Sequence, residues 1–225
     1  MVEESEMNNE RKALVMLSGG LDSSVAFYWA LRARHYSIIA LTFNYSGRSK
    51  KEIEAARLIS KSLRIRQIEL DLGFLRDIED AGKQNKNPFL KSAPSAYIPS
   101  RTLIFYGIAS SLAEMFFCPI IVAGHNRDDT RSFPDSSAAF FHRFNKITAL
   151  GLISGDRTGR VILPLGRLSK TGVVKLGAKL GVPFEKTWSC YYYLRHPCGK
   201  CPACLLRRKA FHEANLVDPL DRIQK

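Results

Sequence analysis

Short apolar runs alternate with longer amphipathic stretches along most of the chain. Five runs predict strands, at residues 13–18, 37–43, 66–72, 120–123 and 161–164. Their almost continuous apolar character is typical of strands that are buried on both faces of a parallel sheet. The stretches between them predict helices over 22–34, 50–63, 101–117, 140–150 and 169–180, the last ended by Gly181. The alternation predicts an α/β fold, a Rossmann-like parallel sheet of about five strands covered by helices on both faces.

Composition divides the chain into three predicted parts. Residues 1–12 form a polar tail, 13–186 the α/β domain, and 187–225 a cysteine-rich helical segment with aromatic residues and basic clusters. Residues 80–98 are rich in Lys, Asn, Pro and Ser without a clear period, so a long loop is expected there. Loops of this length in compact domains are often functional lids.

The overall composition favours a globular protein. Hydrophobic residues make up 45% of the 225 positions, which is enough for a core and too much for a disordered chain. No apolar run approaches the roughly 18 residues that cross a membrane, and the N-terminus has no apolar stretch typical of a signal peptide. We therefore expect a cytoplasmic protein with no membrane partner.

The chain is strongly basic. Its 34 Lys and Arg against 21 Asp and Glu give a net charge of +13. Such a balance favours an anionic partner, either nucleic acid or polyphosphate, but it is equally consistent with a basic solvated surface. The charge is spread over short clusters such as 48–51 and 207–209.

A glycine-serine turn follows the first predicted strand. Its members are Ser18, Gly19, Gly20, Leu21, Asp22, Ser23 and Ser24. The glycines let the backbone approach a ligand closely, and the helix that follows offers N–H groups to an anion. The hydroxyls can donate hydrogen bonds, and Asp22 can hold Mg²⁺. The turn predicts a phosphate site at the carboxyl edge of the sheet, where such sheets bind ligands.

This turn differs from two familiar phosphate-binding motifs. It lacks both G-x-x-x-x-G-K-[ST] and G-x-G-x-x-G. A purely structural alternative stays open, in which the Ser and Asp side chains only cap the following helix.

Four of the five cysteines crowd into one short stretch, at Cys190, Cys198, Cys201 and Cys204. The spacing satisfies a tetrahedral Zn²⁺ ion, and a full shell of four thiolates indicates a structural ion. An iron–sulfur cluster, unpaired thiols, and His196 as a replacement ligand are the alternatives. Disulfides are not expected in a cytosolic chain with an odd cysteine count. Cys118 stands among apolar residues and is predicted to be buried.

Several stretches resemble known enzymes. "SGGLDSS" resembles the pyrophosphate loop of the N-type ATP pyrophosphatases. "TWSCYYYLRHPCGKCPACLLRRKAF" resembles the zinc segment of the 7-cyano-7-deazaguanine synthase family within them, as do "YIPSRTLIFYGIASSLAE", "FPD" and "LPLGRLSKTGVVKLGAKLGVPFEKTWSC". The resemblance runs from about residue 13 to residue 212, and it implies an adenine nucleotide α hydrolase-like fold.

The resemblance implies a reaction and its cofactors. The substrate would be 7-carboxy-7-deazaguanine, converted with ATP and ammonia through an adenylated carboxylate and an amide to the nitrile, a precursor of queuosine and archaeosine. Mg²⁺, a structural Zn²⁺ and a homodimer are implied, and nucleic acid is not required. ATP would lie with its phosphates on the turn and its adenine near Thr42 and Phe43. Asp22, Arg101 and Lys170 would be catalytic, with the two cations stabilising phosphate charge; surface charge is the alternative for each cation.

The stretch after the fourth strand supplies candidate substrate residues. They are Asp128, Asp129, Phe133 and Asp135, whose carboxylates can bind Mg²⁺ or accept from a guanine-like edge. The alternative is a turn in which Asn126 and Asp128 cap the local backbone. Trp188 and Tyr191 can stack on a planar base, or equally pack in the core.

The chain departs from bacterial members of the resembled family at three places. Thr102 replaces Asn, Ser136 replaces Cys, and residues 129–132 replace Asp-Tyr-Ser-Gly. Because these positions lie near the expected substrate pocket, other functions stay open. They are a paralogous ligase that joins the deazaguanine acid to a protein or other amine in a phage-defence setting, a tRNA-modifying enzyme such as a thiolase, and a non-catalytic nucleotide- or RNA-binding module. A thiolase normally needs a further reactive cysteine, and only Cys118 remains.

Overall fold

The computed structural model describes residues 12–45, 47–83, 97–131 and 133–221. Its strands are β1 Lys12–Met16, β2 Ser37–Asn44, β3 Gln67–Asp71, β4 Ile120–Val122 and β5 Arg160–Ile162. Its α-helices are α1 Leu21–Tyr28, α2 Lys50–Ser62, α3 Leu75–Lys83, α4 Arg101–Met115, α5 Ala138–Gly151, α6 Lys170–Lys179 and α7 Pro202–Glu213. Among these residues, no helix is both long and apolar enough to span a membrane.

The five strands form one parallel sheet in the order β3-β2-β1-β4-β5. Leu14 of the central β1 pairs with Ile39 on one side and with Ile121 on the other. The chain builds outward from β1 to β3 and then crosses back to β4, so the strand order reverses between β1 and β4. The carboxyl ends of these two strands are the switch point at which doubly wound sheets bind ligands. The predicted α/β fold is confirmed.

Two apolar layers cover the sheet. Along β1, Ala13 and Val15 face a layer shared with α1, α2, α6 and α7, whereas Leu14 faces a layer shared with α4 and α5. This alternation follows from the two-residue period of a strand. Since both faces are covered, β1 carries apolar side chains at every inner position, which is the pattern that the sequence shows.

The C-terminal helix belongs to the first of these layers. Ala210 and Phe211 of α7 are 2% exposed, and the Phe211 ring meets that of Phe184 edge-on at 5.0 Å. The cysteine-rich segment is therefore packed directly against the sheet domain.

Several predicted elements differ from the structure. No helix was predicted before the long loop expected over 80–98, but α3 spans Leu75–Lys83, because Leu75 is fully buried and anchors a helix there. The helix expected over 22–34 is α-helical to Tyr28 and widens into a π-helix over Trp29–Ala33. Strand β1 begins at Lys12, within the expected tail. The rest of that tail, residues 1–11, and loop residues 84–96 lie outside the described residues.

Candidate active site

The turn after β1 is held by a close approach that only glycine allows. Gly19 has φ +84°, and a Cβ there would lie 2.0 Å from the carbonyl oxygen of Glu52 in α2. Its own carbonyl accepts from Trp188 N at 2.9 Å. Gly19 is therefore fixed between α2 and the C-terminal segment, and the turn has little freedom to move.

The serine hydroxyls bond within the turn. Ser18 Oγ and Ser23 Oγ are 2.9 Å apart, Gly20 N donates to Ser18 Oγ at 3.2 Å, and Ser24 Oγ donates to the Gly20 carbonyl at 2.7 Å. Gly20 precedes α1, and no side chain caps the helix there. The first-turn N–H groups of α1 are thus left to face an anion, on a turn that its own hydroxyls keep in shape.

A cavity of about 380 Å³ opens at the switch point. The predicted site residues that line it are Ser18, Gly20, Leu21, Asp22, Ser23, Phe43, Arg101, Lys170 and Trp188. The turn, the end of β2, the start of α4 and the start of α6 therefore converge on one space, which has room for a nucleotide-sized ligand.

Opposite charges meet at the centre of this cavity. Lys170 Nζ bonds to Asp22 Oδ2, whereas Asp22 Oδ1 is buried with no partner among the described residues. Burial, reinforced by the charge of Asp22, raises the pKa of Asp129 to about 6. A buried oxygen without a partner next to a second carboxylate fits an additional cation, and carboxylate oxygen is what Mg²⁺ prefers.

Two arginines frame the other side of the cavity. Arg101 begins α4 and lies over the Tyr45 ring, 5.7 Å from its centroid. Arg48 was not singled out from the sequence, yet its side chain is 3% exposed and its guanidinium bonds to the carbonyls of Ser18 and Phe43. The available signal was the spacing of Arg48 and Glu52, an i,i+4 charge pair directly after a strand.

Some predicted ligand residues lie behind the cavity wall. Thr42 is buried, and its Oγ1 donates to the Leu17 carbonyl at 2.7 Å while accepting from Gln67 Nε2 at 2.8 Å. Gly19 and Ser24 are also absent from the lining. These residues shape the backbone of the site, and direct contact of their side chains with ATP stays a prediction.

Two of the acids after β4 connect loops. Asp128 Oδ2 accepts from Lys170 N at 2.9 Å, and Asp129 Oδ2 accepts from Asn126 N at 2.9 Å. Asn126 Oδ1 in turn accepts from Asp128 N at 2.8 Å, as in the turn alternative. The stretch therefore fixes the start of α6, and with it Lys170, at the cavity edge.

A second cavity of about 180 Å³ lies beside the first. It is lined by Tyr97, Ser100, Leu103, Pro134, Asp135 and Phe140. His125 lines the first cavity, and Asp135 is near enough to it for the carboxylate charge to favour a higher pKa of the imidazole. Phe133 does not line either cavity, and its N–H donates to the Asp129 carbonyl at 2.9 Å. Of the four predicted substrate residues, Asp135 alone lines one of these two spaces.

The four clustered cysteines converge. Their Sγ atoms all lie within 4.8 Å of one another, and His196 is not part of the group. Thiolates about 2.3 Å from one tetrahedral ion are spaced on this scale, whereas a four-iron cluster would hold them farther apart. The arrangement fits a single metal ion.

The metal segment also reaches the cavity. Trp188 Nε1 donates to the Cys190 carbonyl at 2.9 Å, and Ser189 and Ala203 join Trp188 in the lining. Tyr191 is half-exposed and does not line this cavity. The fifth cysteine, Cys118, is fully buried, and burial raises its pKa to about 11, which confirms its predicted place in the core.

Comparison with known proteins assigns the family. A family model described as "Queuosine biosynthesis protein QueC" matches residues 12–215. The chain belongs to the QueC family. The 7-cyano-7-deazaguanine synthase of Picrophilus torridus is 36% identical over 218 residues, covering 93% of this chain and 91% of that protein. The namesake of Thermoplasma acidophilum is 36% identical over 219 residues, covering 94% and 92%.

The fold of this QueC-family chain is shared more widely. The U34-tRNA thiolase NcsA of Methanococcus maripaludis, solved with its [4Fe-4S] cluster, superimposes with a TM-score of 0.50 at 16% identity. The match covers 95% of this chain and 72% of the thiolase. The adenine nucleotide α hydrolase-like fold expected from the sequence is confirmed.

The imidazole of His125, at the wall of the cavity, yields a prediction about pH. Its ring lies between Tyr106 and Phe141, with centroids 5.8 and 5.3 Å away, and burial lowers its pKa to about 4. Since the unfolded chain takes up this proton at higher pH, stability falls as the pH drops from about 6.5 towards 4. Between pH 7 and pH 4.5, the free energy of unfolding measured with urea should fall by about 2 kcal/mol less in His125→Phe than in the unsubstituted chain.

The exposed His142 of α5 supplies the control for this measurement. The variant His142→Phe should follow the unsubstituted chain, and Asp129 titrates equally in all three proteins. Parallel profiles for His125→Phe and the unsubstituted chain would contradict the assignment of a neutral His125.

Proposed function

We propose that this chain converts 7-carboxy-7-deazaguanine into 7-cyano-7-deazaguanine in the cytoplasm, with ATP and ammonia. As a QueC-family member it is an enzyme of queuosine-precursor synthesis. The observation that carries the finer proposal is the cavity at the switch point. It joins a helix N-terminus suited to phosphate, two cations and a carboxylate with an unpartnered oxygen.

The chemistry divides into two activations. First, the substrate carboxylate attacks the α-phosphorus of ATP, the bond to the bridging oxygen breaks, and pyrophosphate leaves. Ammonia then attacks the acyl carbon, and AMP leaves to give the amide with loss of a proton. In the second round the amide oxygen attacks another ATP in the same way, and loss of AMP with the remaining N–H protons gives the nitrile.

The cavity residues would stabilise the negative charge that builds up on the phosphates in these steps. The N–H groups after Gly20 would hold the pyrophosphate portion, and Arg101 and Lys170 would stabilise negative charge around the α-phosphorus. Asp22 and Asp129 would hold Mg²⁺, which neutralises phosphate charge when bound. The Asp22–Lys170 ion pair keeps both groups beside the turn in the absence of ATP.

The second cavity fits the deazaguanine ring. Phe140, Tyr97 and Pro134 offer apolar faces for a planar base, and the Asp135 carboxylate can accept from the N–H edge of a guanine-like ring. Since Asp135 is near His125 of the first cavity, a substrate bound in the second cavity would reach the α-phosphorus of an ATP bound in the first cavity. Of the residues that depart from bacterial relatives, Thr102 lines the first cavity, whereas Ser136 is buried with its hydroxyl bonded to the Phe133 carbonyl.

Among the alternatives, a paralogous ligase keeps the most support. It would use the same adenylation site with a protein or other amine in place of ammonia. A thiolase is disfavoured because Cys118, the cysteine outside the metal group, is buried with a raised pKa. A non-catalytic binding module would not need the charged groups that converge on the turn.

Product analysis tests this proposal. The metal-loaded chain is incubated with ATP, Mg²⁺, 7-carboxy-7-deazaguanine and ammonium, and products are followed by mass spectrometry. We expect the nitrile together with AMP and pyrophosphate. AMP without nitrile, or an adduct on a protein amine, would favour the paralogous ligase, and absence of ATP turnover would contradict both.

Two variants test the assigned residues in the same assay. Lys170→Met should lower kcat/KM by about 10²- to 10³-fold. Asp135→Asn should raise the KM of the deazaguanine acid and leave the KM of ATP unchanged. Lys175→Met and Asp156→Asn, at exposed positions, are the matched controls.

We further propose that the cysteine group holds Zn²⁺. Elemental analysis should find one zinc per chain, and Cys201→Ser should lose both the metal and the folded C-terminal segment, because an ion of this kind contributes to folding. Cys118→Ala, which leaves the four ligands in place, should keep the zinc. Iron with acid-labile sulfide would instead indicate a cluster.

An exposed apolar patch supports the proposal of a homodimer. Met115 and Phe117 lie at the end of α4, and Ile147, Leu150 and Ile153 at the end of α5, with exposures from 62% to 98%. Ser154 N donates to Glu114 Oε1 at 2.7 Å, which brings the two helix ends together. Exposed apolar patches of this kind mark interaction surfaces. Light scattering should give a dimer that Leu150→Glu converts to monomer; a monomeric unsubstituted chain would contradict the proposal.

A further inference from the structure

Arg207 of α7 lies outside the cavity and is almost fully buried. It forms a two-point ion pair with Asp218, with Nε to Oδ2 at 2.6 Å and Nη2 to Oδ1 at 3.0 Å. Both side chains are 4% exposed. Neither residue lines the first cavity or belongs to the metal group.

The remaining donors of Arg207 all point to one short segment, residues 184–189. Nη1 donates to Thr187 Oγ1 at 2.8 Å and to Ser189 Oγ at 3.3 Å, and Nη2 donates to the Phe184 carbonyl at 3.0 Å. With the two bonds to Asp218, all five N–H donors of the guanidinium are used. Because the guanidinium is planar and rigid, these five bonds fix Asp218 and the 184–189 segment relative to each other.

The segment that Arg207 holds is the wall of the candidate ATP cavity. It carries Trp188 and Ser189, which line the cavity. Trp188 N is also the donor to the carbonyl of Gly19, the glycine of the turn with φ +84°. An unbroken series of bonds therefore runs from Asp218 through Arg207 and the 184–189 segment to the backbone of the turn.

We propose that Arg207, oriented by Asp218, is a positioning residue for nucleotide binding. It acts through the 184–189 segment, holding Trp188 against the turn so that the Gly19–Gly20 backbone keeps the geometry that receives phosphate. This inference rests on the proposed use of ATP. Stability alone gives a weak reason for such a pair, because well-packed apolar residues often replace a buried ion pair without loss of stability.

The test separates positioning from stability with a double substitution. Arg207→Met combined with Asp218→Leu removes both charges together, so urea unfolding should show a smaller loss of stability than Arg207→Met alone, which would leave Asp218 as an unpaired buried charge. The equilibrium Kd and the KM for ATP should rise about tenfold while kcat stays within about threefold, since Asp22, Arg101 and Lys170 are untouched. Zinc content should be unchanged.

The ion pair of Arg208, the next residue of α7, is a matched control. Arg208 and Asp221 form an exposed ion pair at 3.7 Å, with side chains 49% and 43% exposed. Arg208→Met with Asp221→Leu should leave the Kd for ATP unchanged. Should the buried double variant fail to fold, Thr187→Val removes one acceptor of Arg207 and keeps the ion pair, and the Kd should rise in the same direction by about threefold.

The outcomes are distinct. A folded, zinc-containing double variant, or Thr187→Val, that binds ATP as tightly as the unsubstituted chain would overturn the positioning role. A loss of kcat without a change in the KM for ATP would also overturn it. If the unsubstituted chain itself does not bind ATP, the proposed function fails instead, whatever the variants do.

Discussion

The close approach of Gly19 to the backbone of α2 is the constraint on which the site depends. At that position a side chain would occupy the space of the Glu52 carbonyl, and the positive φ turns the Gly19 carbonyl towards Trp188. One glycine thus joins the central strand, the helix after β2 and the C-terminal segment. Because these elements are far apart in sequence, the turn acquires its shape only when all of them are in place.

This dependence would give a metal ion held by the four cysteines a role beyond the fold of its own segment. The four cysteines hold residue 190 at one end of the cavity wall, and Arg207 holds residues 184–189 at the other. Trp188 lies between the two anchors and contacts the turn. A metal site is not formed in an unfolded chain, so the binding free energy of an ion held by the four cysteines would contribute to the same ordering that completes the candidate ATP cavity.

How far the sequence predicts this arrangement depends on the range of the interactions. The strands, their parallel arrangement in one sheet, the phosphate turn and the cysteine group all follow from local patterns such as apolar runs, glycines after a strand, and metal-ligand spacing. Lys170 and Arg101 reach the cavity because they begin helices at the carboxyl edge of the sheet. Helix α3 was missed because the composition of the Lys- and Asn-rich stretch that follows it outweighed the single buried anchor at Leu75.

The residues that sequence reasoning missed act through tertiary contacts. Arg48 and Arg207 each stand in a basic cluster that is typical of a solvated surface, yet both side chains are almost fully buried. Arg48 bonds to the Ser18 carbonyl in the turn, and Arg207 bonds to the Phe184 carbonyl in the segment that carries Trp188. Thr42, a predicted ligand residue, is also held by a tertiary contact, because its hydroxyl donates to the carbonyl of Leu17 just after β1, and its contact with ATP stays a prediction. A charge of +13 therefore does not describe the surface alone. Part of it lies inside, where the two guanidinium groups bond to backbone carbonyls of irregular segments. Such groups can hold irregular backbone rigidly next to a cavity that must itself remain open for an anion.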